Sequence, residues 1–111
     1  MAEAEIWSRI KYSNYYISTL GRVKDNNNDY VPQQLNDNEQ ATVLIELNID
    51  NDNSVEMNEN IIIKENKVFV RLLVYKLVIK HFMLINKNRK YKIIHINNDK
   101  TDNCLSNLKM L

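Results

Sequence analysis

The chain has 111 residues, 44% of them hydrophobic, and a formal net charge of +1; this suffices for one modest core and excludes wholesale disorder. A single Cys, Cys104, excludes an intramolecular disulfide and fits a reducing intracellular setting, and no apolar run approaches the roughly 20 residues needed to span a bilayer. The acidic start MAEAEIWSRI lacks the apolar segment of a signal peptide.

EIWSRIKYSNYYISTLGRVKD (5–25) opens the chain with apolar residues too irregular for a long helix. Short β segments around Tyr15–Ser18 and Gly21–Lys24 fit better, with the only Gly, Gly21, supplying a turn or a close backbone approach. Residues 25–40 read as a polar connection, and ATVLIEL (41–47) as a short strand. Residues 48–60 form a second polar loop. Within it Asn48, Asp50, Asp52 and Glu59 match positions one, three, five and twelve of a calcium loop. Asn53 stands where that loop needs its turn Gly, and a strand-like rather than helical segment precedes it, so a solvated acidic loop is expected.

IIIKENKVFVRLL (61–73) predicts two strands about a Glu65-Asn66 turn, with Val68, Val70 and Leu72 on one face and Phe69 and Arg71 on the other. In YKLVIKHFML (75–84), Leu77, Val78, His81 and Phe82 have helical spacing, which predicts a short amphipathic helix. A basic loop (85–91), a strand KIIHI (92–96), a polar loop (97–103) and an extended segment CLSNLKML (104–111) complete the chain. The expected architecture is α+β: small β-hairpins with one central helix.

Charge is unevenly placed. Residues 1–60 hold four Lys/Arg against eleven Asp/Glu, whereas residues 61–111 hold eleven against three. Either a nucleic-acid-facing half or two mutually attracting halves follows from this. The Asn and Ile content, with one Gly and one Pro, is the bias of an AT-rich genome, as of a bacteriophage or large DNA virus; host cytoplasm, nucleus or a virion are the matching locations.

Three segments carry a family resemblance. EIWSRIKYSNYYISTLGRVK resembles the nuclease-associated modular DNA-binding motif, with its Glu-x-Trp start and Ser-x-Leu-Gly-Arg-Val finish. VYKLVIKHF (74–82) resembles the Val-His-Arg-Leu-Val-Ala-x-x-Phe helix of phage-type HNH homing endonucleases, and IIHINNDKTDNCLSNLKML (93–111) resembles their His- and Asn-containing hairpin. The resemblance implies a modular motif over 1–35 and an HNH-like ββα-metal domain over 36–111, within one compact unit.

Phosphodiester hydrolysis requires a base for water and a divalent metal for the phosphoryl and leaving oxygens. The resemblance makes His95 the general base, apt because imidazole titrates near about 6.5, and Asn107 the residue that orients it. The family's metal ligand immediately before the base is here Ile94, which offers no oxygen to a hard cation. A second ligand is expected on a helix that would follow Leu111. The site is therefore expected to be degenerate, with Mg or Mn involved only if a partner, or Asp99 or Asp102, restores it. His95 has a simpler reading as a structural side chain, and His81 as one on the helix surface or at an interface.

The expected partner is double-stranded DNA, gripped through its phosphates by Arg9, Lys11, Arg22 and Lys24 in the first segment and by Lys80, Lys87, Arg89, Lys90, Lys92 and Lys100 in the second. The alternative is an assembly module that self-associates through its two halves, with Trp7, Tyr12, Tyr15, Tyr16 and Tyr30 as anchors.

Overall fold

A computed structural model describes residues 4–48, 61–86 and 88–111. The candidate calcium loop, apart from Asn48, lies outside the described residues, as does Lys87.

The first sheet is antiparallel, built from β1 (Trp7–Arg9), β2 (Tyr15–Ser18) and β3 (Val23–Asp25) in that order. Ile17 faces Val23 across it, and both are buried in the core. Gly21 occupies the tight turn before β3 at φ +76, so the strand starts two residues later than its sequence predicts. The sequence does not predict β1; at three residues it is too short for alternation to show. The loop after it is organised by buried Ser13, whose Oγ donates to the Ile10 carbonyl at 2.7 Å and accepts from the Tyr15 N–H at 3.1 Å.

The second sheet has the order β4 (Gln34–Leu35), β5 (Ala41–Leu47), β7 (Lys67–Leu73), β6 (Ile61–Lys64). Its register puts Val43 opposite Leu72, Ile45 opposite Val70 and Leu47 opposite Val68, the apolar face expected from period-two alternation. Glu65 and Asn66, both at positive φ, turn β6 into β7. β4 has no sequence signature either, because its two residues sit in a polar stretch. A side chain secures it: Thr42 Oγ1 donates to the Gln34 carbonyl at 2.8 Å.

β7 runs directly into α1 (Val74–Phe82), which ends two residues earlier than expected because Met83 is already extended. A nine-residue helix without a side-chain N-cap has little intrinsic stability. Burial holds it instead: Val74, Leu77, Val78 and Ile79 are all in the core, each contributing about 1.5–3 kcal/mol. They pack against β2, β5, β7 and the 3-10 turn at Leu105–Asn107. That turn replaces the start of the predicted extended segment and leads into β9 (Leu108–Met110), which pairs with β8 (Ile93–His95).

The C-terminal hairpin is tied to the first sheet at Gly21. A Cβ there would lie 2.8 Å from the Asn103 carbonyl oxygen and 3.0 Å from its Cβ. Beside this contact the Leu105 N–H donates to the Thr19 carbonyl at 2.7 Å, and Cys104 Sγ lies 3.5 Å from the Leu20 carbonyl oxygen. Gly21→Ala introduces both a left-handed alanine and a backbone collision. Thermal denaturation should show a loss of about 2–4 kcal/mol, a fall in Tm of roughly 10–15 °C.

Candidate functional site

His95 ends β8, and its Nε2 is 2.7 Å from Asn103 Oδ1. With a carbonyl oxygen as partner, the neutral ring carries its proton on Nε2 and presents Nδ1 as the basic nitrogen. Tyr75 of α1 meets the ring edge-on, with centroids 6.2 Å apart. Asn103 is buried at 3% exposure, and its Nδ2 has no hydrogen-bond partner.

Asn107 contacts the loop, not the imidazole. Its Oδ1 accepts from the Asn97 N–H at 3.1 Å, while its Nδ2 donates to Asn97 Oδ1 at 2.9 Å and to the Asp102 carbonyl at 2.8 Å. Its backbone carbonyl also accepts from the Ile96 N–H at 2.8 Å. Any influence of Asn107 on His95 is thus transmitted through the hairpin, and the amide touching the ring belongs to Asn103. No motif spacing singles out Asn103 among the many Asn residues; the turn brings it under His95 from eight positions away.

The loop's carboxylates are similarly engaged. Asp99 Oδ1 accepts from the Thr101 N–H at 2.9 Å and hydroxyl at 2.6 Å, bonds that hold its carboxyl below the ordinary range. Asp102 Oδ2 accepts from Asn97 Nδ2 at 2.9 Å and its Oδ1 from the Cys104 N–H at 3.3 Å. Asn98 takes φ +63, as the Asn97-Asn98 turn requires. Ile94, paired with Lys109, contributes only hydrocarbon. Among the described residues no three His, Cys, Asp or Glu side chains are gathered to hold a metal.

The basic residues fall into two groups. In the first sheet Arg22 lies 4.5 Å from the Tyr30 ring centre and 5.8 Å from that of Trp7, and Lys24 stands 4.1 Å over Trp7. Arg22 is also forked onto both oxygens of Glu5, which raises the guanidinium pKa and lowers that of the carboxyl. Arg9 Nε donates to the Ser13 carbonyl at 3.0 Å, and Lys11 stands 4.9 Å from the ring centre of Tyr12. In the second group Lys80 shares a groove between α1 and the hairpin with Tyr75, Tyr91 and Lys76. Lys76 is an addition to the cations expected from sequence, although its i, i+4 spacing from Lys80 marks one helix face. Arg89 approaches Tyr91 at 5.6 Å, and Lys90 and Lys92 are exposed nearby in sequence. Lys100 is apart from these, its Nζ 3.4 Å from the Asn38 carbonyl oxygen.

His81 is half-buried, with Nδ1 2.7 Å from Ser8 Oγ, so it joins the last turn of α1 to β1. Burial and the neighbouring Lys80 depress its pKa.

Among known structures, the chain is similar to the HNH homing endonuclease I-HmuI, in a structure titled for DNA binding and cleavage by that enzyme, at 19% identity and a TM-score of 0.64. The match covers 96% of this chain. The fold is HNH-like. The chain spans about half of the I-HmuI chain, 52% of its length. No protein-family model and no curated protein sequence matches it. In this HNH-like fold the α+β expectation holds, with its small antiparallel sheets and one helix among the described residues.

Asn107→Ala removes three side-chain bonds from the loop and should destabilise the protein by about 2–4 kcal/mol in denaturant unfolding, while nitrogen NMR still finds His95 protonated on Nε2. His81 disfavours its charged form when folded, so its contribution is complete above the unfolded value of 6.5 and is lost as pH falls below it. Thermal stability should decline on acidification from that point, ahead of carboxylate titration, and His81→Gln should flatten this part of the profile.

Proposed function

We propose that this chain is a DNA-binding protein derived from an HNH homing endonuclease and that it does not cleave DNA by itself. The observation that supports the reading most is the assembly of all three resembling segments into one HNH-like fold covering 96% of the chain. Two groups of cations accompany that fold, one on the β1–β3 sheet and one beside the His95 hairpin. They suit a polyanionic backbone, because Lys and Arg displace the counterions condensed on DNA.

Binding without hydrolysis follows from the chemistry around His95. The imidazole retains a basic nitrogen, but a metal-assisted displacement also needs oxygens that hold a cation beside the phosphate. Ile94 provides none, and Asp99 and Asp102 already accept hydrogen bonds that shape their loop. Asn103 then serves to fix His95 as a structural or phosphate-facing group.

Duplex affinity should fall steeply with rising salt. Reversing charge at Arg89 and Lys90 should both weaken it and reduce the logarithmic salt slope by about 1 for each phosphate left without its cation. Salt-insensitive binding, or none at low salt, would refute the DNA-binding reading. Supercoiled plasmid with Mg²⁺ or Mn²⁺ should remain intact; nicking abolished by His95→Ala would show that the site still works.

A further inference from the structure

The cations of the first sheet are arranged differently from a surface that only tracks phosphate. On the face opposite buried Ile17 and Val23, Arg9, Tyr16 and Lys24 lie side by side across β1, β2 and β3. Trp7 follows in the next row opposite Ser18, with Lys24 standing over its ring. Tyr30 comes alongside through a backbone bridge to Lys24, its ring 6.2 Å from that of Trp7 and tilted by 36°.

Two of the three cations here are committed to rings. Arg22, from the adjoining turn, is clamped by Glu5 and lies against Tyr30; Lys24 covers Trp7. Glu5 offsets the charge of Arg22 and fixes the guanidinium plane, which makes it an extension of the π surface more than a phosphate anchor. Arg22–Glu5 is the one ion pair among the described residues, so this neutralisation is specific to the aromatic cluster. Tyr30 is 55% exposed. A closed duplex offers phosphates, sugars and base edges to such a face, whereas an unpaired base offers a flat π surface that stacks on rings and guanidinium planes.

We propose that the outer face of the β1–β2–β3 sheet, centred on Trp7, Tyr30 and the clamped Arg22, is a stacking platform for unpaired nucleobases, in a single strand or an opened duplex. Arg9, the cation not committed to a ring, supplies the adjoining phosphate contact. The inference rests on the DNA-binding reading and deepens it by naming the form of DNA this face takes.

Trp7 is the chain's only Trp, so its emission reports on this face directly. The full chain is titrated with oligo-dT, with an abasic deoxyribose-phosphate strand of equal length, and with a closed hairpin duplex of equal charge, at one salt concentration. Oligo-dT should quench Trp7 and bind about tenfold more tightly than the abasic strand, the order expected from stacking a base on an aromatic side chain. Tyr30→Ser should abolish most of that advantage without altering the abasic affinity, and Tyr30→Phe should restore it; circular dichroism verifies that both variants fold. Equal affinity and quenching by the abasic strand, or a Tyr30→Ser defect shared by all three ligands, overturns the proposal. A duplex that binds while Trp7 emission stays unchanged and oligo-dT gains nothing overturns this proposal alone. Failure of all three ligands to bind at low salt overturns the DNA-binding reading with it.

Discussion

Burial of one short helix is the interaction on which the architecture depends. Its three sheets have three, four and two strands among the described residues, and an isolated two-stranded hairpin is marginal in water. A nine-residue helix without a side-chain cap is equally marginal. Each becomes stable only by closing the same core: Val74, Leu77, Val78 and Ile79 meet Ile17 and Val23 from the first sheet, Val43 and Ile45 from the second, and Leu108 from the hairpin. Its continuity with β7 sets the helix's position, since no loop separates Leu73 from Val74.

Polar contacts then determine how the sheets are oriented about that core. Gly21 and Asn103 approach more closely than a side chain at position 21 would permit. The same Asn103 holds His95, so the turn of the first sheet and the imidazole of the hairpin share one buried residue. His81 and Ser8 make a second link, between helix and first sheet. These contacts tie the elements that carry the two cation groups to the same core.

The Asn-rich loop illustrates a change in what a familiar pattern does. Asn97, Asp99, Asp102 and Asn107 satisfy one another and nearby backbone N–H groups, so their polar capacity goes into holding the turn. His95 is thereby presented at the end of β8, and among the described residues no cluster of three His, Cys, Asp or Glu side chains gathers beside it. On the first sheet the reverse applies: aromatic and cationic side chains satisfy each other while leaving ring surface toward solvent. The latter is the more open binding chemistry of the two.

Alternation and helical spacing identify β5, β6, β7 and α1 from the sequence alone, because long apolar patterns record which face is buried. The lone Gly marks a turn or a close approach, and the structure shows Gly21 serving both, at φ +76 and against Asn103. The strands β1 and β4 are invisible for lack of length, and Asn103 for lack of any distinguishing pattern. Tertiary structure alone decided that Asn103 rather than Asn107 touches His95, that Glu5 neutralises Arg22, and that Trp7 and Tyr30 converge. Residue type and spacing determine what a side chain can do and which face it occupies. Which partner it meets from 8 to 73 positions away is determined by how turns and sheets close around the helix, and that closure is a property of the whole core.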